Sequence, residues 1–156
     1  MKFDITYIYS GGRAKKINTN SSGEFFYGFK EYLNMGKNVT FIELSSKKTS
    51  IFDKLIVKIT KLPVYLIKSI SLKNFRVLTN SKNLIFINES SFISFLPFII
   101  ICKKFYKPNV IFFPMGLVDK YLEGNWLSKK IINLSFKFAD SVLFIGKGEQ
   151  LYAEKN

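Results

Sequence analysis

Four short stretches of this sequence carry the residue types from which a binding or catalytic rim can be made. The first is Ser10-Gly11-Gly12-Arg13, where two residues without a β-carbon and one cation follow a strand-like run. Backbone N–H groups at such glycines can approach a phosphate or a sugar closely. The G-x-G-x-x-G spacing is missing, which argues against a dinucleotide site, and a plain turn explains the stretch equally well. The second is Asn88-Glu89-Ser90-Ser91. Glu89 suits a general base or the acceptor of a hydroxyl hydrogen bond. The structural alternative makes Ser90 or Ser91 a helix N-cap, with Glu89 favoured by the positive helix end. The third is Pro114-Met115-Gly116, with Asp119, Lys120 and Tyr121 expected in the loop that follows; the fourth is Gly146-Lys147-Gly148-Glu149.

What is missing narrows the chemistry further. The 156 residues include no His and a single cysteine, Cys102, set in an apolar run. A Ser-His-Asp or Cys-His constellation therefore cannot form from this sequence. The ligands of a Cys- or His-based zinc site are absent too, as is the G-x-x-x-x-G-K-[ST] loop that holds a nucleoside triphosphate. No metal or cofactor is expected, and the few carboxylates remain as the acid–base groups.

The elements that would position these stretches follow from periodicity. Runs rich in Ile, Val, Phe and Leu occupy residues 4–9, 38–43, 84–88, 109–113 and 141–145, alternating with longer helical patterns. That rhythm marks repeated βα units, and strands this apolar suit a sheet covered on both faces. The expectation is an α/β, Rossmann-like parallel sheet of about five strands with helices on both faces, residues 1–156 forming one domain. All four polar stretches then fall at the carboxyl ends of strands, where open α/β sheets bind ligands.

The first crossover helix is expected to open at Ser22-Gly23-Glu24, to carry Phe25, Phe26, Phe29, Tyr32 and Leu33 at helical spacing, and to stop at Gly36. Its right-handed return places the second strand beside the first. Residues 52–72 read as two helical pieces with basic faces, broken at Pro63. Further helices are expected over 90–105 and over 126–138, the latter with Trp126, Leu127, Ile131, Leu134 and Phe138 as its apolar stripe, and a last one from about Gly148. The apolar segment 92–102 is interrupted by Ser94 and Pro97 and is too short to span a bilayer, so it reads as a buried helix.

Charge bears on partners. Lys and Arg number 24 against 11 Asp and Glu, a formal net charge of +13, which attracts anionic lipid headgroups and nucleic acid alike. No nucleic-acid-binding motif accompanies the charge and Lys is scattered, so nucleic acid is not the expected partner. The basic, apolar stretch 54–73 has two readings: a helix packed on the sheet with solvated lysines, or a face resting on an anionic membrane surface. Without a disulfide framework or a signal-peptide pattern, the expected location is cytoplasmic, with peripheral association at the inner face of the membrane.

Taken in order, NSSGEFFYGF at 20–29, NLIFINESS at 83–91, VIFFPMGL at 110–117 and FADSVLFIGKGE at 138–149 resemble the amino-terminal half of family 4-like glycosyltransferases of the GT-B type. The likeness extends over nearly the whole chain. Its most specific part is the pair Ala139-Asp140 before the last strand, with Gly148-Glu149 after it. The resemblance implies an acceptor-binding half, for glycan or glycolipid synthesis, whose sugar or lipid-linked acceptor would be lined by Gly11, Gly12, Arg13, Asn88, Glu89, Met115 and Gly116. The nucleotide-sugar would be held by a donor domain that the chain stops before, or by a separate chain, so the chain is expected to be inactive alone. Many relatives carry His after the third or fourth strand; Asn88 and Met115 stand there here, which leaves Glu89 as a weak catalytic candidate. A non-enzymatic α/β binding module or partner subunit is the alternative.

Overall fold

A computed structural model describes residues 2–16, 26–44 and 50–155. Five strands, β1 (Phe3–Ser10), β2 (Val39–Leu44), β3 (Ser81–Phe86), β4 (Asn109–Phe112) and β5 (Ser141–Val142), form one parallel sheet in the order β2-β1-β3-β4-β5. Strands β1 and β2 are neighbours, as expected, with Ile5 opposite Val39. On its other side β1 pairs with β3, placing Thr6 opposite Leu84, and β4 aligns Val110 with Leu84.

Alternation along the strands builds two apolar layers. Ile8, Leu84, Phe86, Val110 and Phe112 point to one face, where they meet Phe92, Phe95 and Ile99 of the long helix α5 (Glu89–Phe105). Ile5, Tyr7, Tyr9, Ile85 and Ile87 point to the other, against Phe26 and Phe29. Phe29 opens the short helix α1 (Phe29–Asn34), which ends where Gly36 takes a φ of 71°. The start of this crossover, Ser22-Gly23-Glu24, lies outside the described residues. Asn88 caps α5 by accepting from the Ser91 N–H at 2.9 Å, and the helix runs on through Pro97, whose ring lies exposed. Segment 92–102 is thus the buried helix its sequence implies, and no helix among the described residues is long and apolar enough to cross a membrane.

The stretch after β2 holds the two helical pieces expected on either side of Pro63, α2 (Ile51–Thr60) and α3 (Leu66–Ser69), and a further helix not expected from the sequence, α4 (Leu72–Thr79), follows them. Ser50 caps α2 and Ser71 caps α4, each accepting from the N–H three residues on. After β4, Asp119, Lys120 and Tyr121 lie in helix α6 (Leu117–Glu123) instead of a loop, because Gly116 adopts a φ of 73° and turns the chain straight into a helix. Helix α7 (Trp126–Phe138) has the expected bounds, and Ile131, Leu134 and Phe138 of the expected stripe pack against the core beside the buried Ser128, Ile132 and Ser135, whereas Trp126, expected in the same stripe, is 74% exposed. The hydroxyls of Ser128 and Ser135 bond the carbonyls of Thr60 and Ile131, which lets small polar residues pack inward. Helix α8 (Lys147–Lys155) follows β5, which ends at Val142 instead of residue 145.

Candidate functional site

In a sheet of this order the chain leaves β1 toward one side and β3 toward the other, and the crevice at that reversal is where such folds take ligands. Its two lips are Ser10 and Asn88. The Asn88 amide donates to the Ser10 hydroxyl, and Ser90 donates to Asn88 Oδ1 at 3.0 Å. The cap of α5 is therefore Asn88 and not Ser90 or Ser91; the Ser91 hydroxyl instead donates to the Asn88 carbonyl at 2.8 Å. With Oδ1 and Nδ2 both engaged, Asn88 holds the β1 and β3 exits together.

Glu89 sits in the first turn of α5 and is only 8% exposed. Its Oε1 accepts from Lys120 Nζ, which reaches across from α6. Its Oε2 is buried and has no hydrogen-bond partner. A buried carboxylate oxygen without a partner carries a desolvation cost that a hydroxyl or N–H donor able to reach it would recover. Lys120 stands one turn beyond Gly116, so the left-handed glycine that starts α6 also delivers the lysine to Glu89.

The glycines keep the rim open. Gly11 and Gly12 have φ values of 88° and 84°, and neither they nor Gly116 has a heavy atom within 4 Å of where a Cβ would stand. Arg13 begins a single 3-10 turn, Arg13–Lys16, with its guanidinium 5.2 Å from the centre of the Tyr27 ring. Met115 is partly buried against the Tyr7 and Tyr9 layer, so it packs as a core residue at the rim's edge. Of the expected lining, Asn88, Glu89 and Gly116 are linked through direct bonds or one helix turn. Gly11, Gly12 and Arg13 follow Ser10 on the opposite lip.

Two contributors were not singled out by sequence. Tyr7 and Tyr9 donate to the carbonyls of Tyr27 and Phe26 at 2.9 Å each, and their stacked rings hold that loop against the rim. Burial pushes both phenols well above the ordinary tyrosine range, so they serve as fixed donors. Their period-two spacing in β1 was the available signal. Lys120 belongs to the third stretch named from the sequence, but its pairing with Glu89 gave no signal, since the two lie 31 residues apart. Among the described residues no three His, Cys, Asp or Glu side chains gather closely enough to hold a metal ion.

Asp140, the most specific residue of the sequence resemblance, has a structural task. Its carboxylate takes the Val110 N–H at 2.7 Å and Lys103 Nζ at 2.6 Å, tying the start of β5 to β4 and to the end of α5. No family model matches the chain, and no curated protein matches it.

Proposed function

We propose that these residues form the acceptor-side wall of a sugar-transfer cleft in a GT-B type glycosyltransferase, with the β1–β3–β4 rim facing the acceptor. The observation that carries this reading is Glu89, a nearly buried carboxylate with one oxygen paired to Lys120 and the other unmet, at the switch point of a parallel sheet. In this reading Oε2 accepts the hydroxyl of a sugar or lipid-linked acceptor. Lys120 orients Glu89, and Gly11, Gly12 and Gly116 leave room for the ring. The Ser10–Asn88–Ser90 network fixes the separation of the lips. A nucleotide-sugar would be held by a donor domain or chain facing this rim, so these residues alone bind acceptor without transferring sugar.

Saturation-transfer NMR on the purified chain, with mono- and disaccharides, lipid-linked glycans and nucleotide-sugars as ligands, tests the reading. Acceptor-type ligands should bind, and Glu89→Gln should weaken them about tenfold, as expected when a charge-assisted hydrogen bond becomes a neutral one. No acceptor binding, binding that Glu89→Gln leaves intact, or turnover of a nucleotide-sugar by the chain alone would each refute it.

A second reading, a non-enzymatic module that completes another chain's fold, is favoured by the β5 edge. That strand is two residues long, and Leu143 and Ile145 beyond it are 47% and 66% exposed. A dimer that Leu143→Ser with Ile145→Ser dissolves, together with a failure to bind any acceptor, would select it.

A further inference from the structure

Helix α2 is inverted. A helix that only covers a sheet turns its apolar stripe inward and its charges outward. Here the inward residues are Asp53 and Thr60, with Ile56 partly covered. They are held by polar bonds: Asp53 Oδ1 takes the Ile67 N–H at 3.2 Å, Thr60 Oγ1 takes the Leu62 N–H at 3.2 Å, and the Thr60 carbonyl takes the Ser128 hydroxyl at 2.6 Å.

The outward side carries Ile51, Leu55 and Ile59 at i, i+4 and i+8, with Phe52 beside them, exposed by 88%, 52%, 52% and 53%. Flanking that stripe, Lys54, Lys58 and Lys61 form a parallel exposed row. The pattern continues past Pro63, where Ile67, Ile70 and Leu72 are 48%, 53% and 78% exposed and Lys73 is exposed beside them. Between α2 and α5 runs an open crevice of about 270 Å³, whose walls, including Ile56, Leu66, Leu96, Pro97 and Leu134, are almost wholly apolar.

Two neighbouring features extend the face. The Asn125 amide donates to the Ile59 carbonyl at 2.7 Å, which sets the exposed Trp126 at the end of the α2 stripe. Tryptophan favours the boundary between headgroups and acyl chains, where its ring is buried and its N–H stays wet. From residue 50 to residue 80 there are six Lys and Arg against one acidic residue, Asp53, and that one is buried. Residues 50–80 therefore offer apolar surface and positive charge with no exposed carboxylate.

We propose that α2, with α3, the start of α4 and Trp126, seats this face on an anionic lipid bilayer. Ile51, Phe52, Leu55 and Ile59 enter the acyl boundary, while Lys54, Lys58, Lys61 and Lys73 contact headgroup phosphates. A second copy of the chain fits less well, because a face-to-face pair would oppose one lysine row to another. None of these residues belongs to the rim, so the inference stands whether or not the rim binds sugars.

The single tryptophan makes the test direct. The full chain is mixed with phosphatidylcholine vesicles, with and without phosphatidylglycerol, at low and high salt. Partition is read by co-sedimentation and by Trp126 emission. The expected result is binding only to the anionic vesicles, a blue-shifted emission that brominated acyl chains quench, and weakening by salt. Lys54→Gln with Lys58→Gln should lower the partition coefficient about 30-fold, the equivalent of about 1 kcal/mol for each lysine. Leu55→Ser with Ile59→Ser should lower it at least about tenfold. Both pairs face water, so an unchanged urea midpoint verifies their fold. Failure to bind anionic vesicles, or binding that both variants leave unchanged, overturns the proposal. A dimer abolished by Leu55→Ser with Ile59→Ser, without vesicle binding, would assign the face to a second copy. Binding of a polyglutamate peptide but not of vesicles would assign it to an acidic protein.

Discussion

Lys120 donates to Glu89 Oε1 from the neighbouring helix, while the other oxygen of the same carboxylate is buried without a partner. The pair is asymmetric in its surroundings: Glu89 is almost covered, whereas about a third of the Lys120 side chain meets water. Removing the lysine leaves a desolvated charge unmatched; removing the carboxylate charge leaves an ammonium that can turn to solvent. Lys120→Met should therefore cost about 2 kcal/mol and Glu89→Gln about 1 kcal/mol or less. The double variant should fall short of the sum of the singles, as for directly coupled groups. Urea unfolding of the four proteins measures this, and additive effects would mean the two side chains do not interact.

Gly116 and Gly146 offer a matched comparison. Both would place a Cβ in open space, but only Gly116 has a positive φ. Gly116→Ala should cost about 1 kcal/mol, the penalty of a left-handed conformation for an L-residue. Gly146→Ala should be neutral or stabilise by up to about 1 kcal/mol, since it restricts the unfolded chain alone. Because Gly116 also sets the start of α6, its alanine variant should weaken the Glu89–Lys120 coupling measured by the double-mutant cycle. Equal melting temperatures for the two alanine variants would contradict this account.

The extent to which the sequence foretold the molecule follows the range of the interactions involved. The five strands, α5 and α7 were legible because their apolar periodicity is local and long. Strand β3 was read too far along the chain, since it begins at the polar Ser81, whose hydroxyl meets Thr6 Oγ1 at 2.6 Å, and stops before Asn88. Helix α4 was missed because its mixed residues Lys73, Asn74, Phe75 and Arg76 give a weak signal, with Ser71 as the only sharp boundary mark. Of the rim, Asn88, Glu89 and Gly116 were visible as polar or small residues after strands. Their linkage was not, because Asn88 finds Ser10 at a separation of 78 residues and Glu89 finds Lys120 at 31. The outward turn of Trp126 depends on Ser128 docking to Thr60, again a contact that no local pattern encodes.

Asp140 makes acid sensitivity predictable. Burial alone would raise its carboxyl, but Lys103 and the Val110 N–H outweigh that and hold it below the ordinary aspartate range. A carboxyl depressed on folding adds stability that is complete above the unfolded value of about 4 and drains away as pH falls through the folded value. Wild type should therefore exceed Asp140→Asn in urea midpoint at neutral pH, with the gap closing below about pH 4. Some acid sensitivity should persist in the variant, because Asp4 is held low in the same manner by Lys82 and the Asn38 N–H. A gap that stays constant across this range would show that Asp140 contributes through packing and not through its charge.

Cys102 gives a probe of the core that requires no substitution. It lies fully buried in the α5 layer, and burial pushes its thiol up to about 11. At pH 8 only about a thousandth of the folded molecules carry the reactive thiolate, and reagent access is closed in all of them. Alkylation by iodoacetamide should therefore proceed through transient opening of α5 and β4, accelerating with urea in step with the unfolding equilibrium. Leu84→Ala, which removes buried side-chain volume from the same layer, should destabilise by about 3 kcal/mol and raise the labelling rate about a hundredfold. A labelling rate indifferent to both urea and this cavity would mean that the thiol is reached by a local path, and that α5 is not part of the cooperative core.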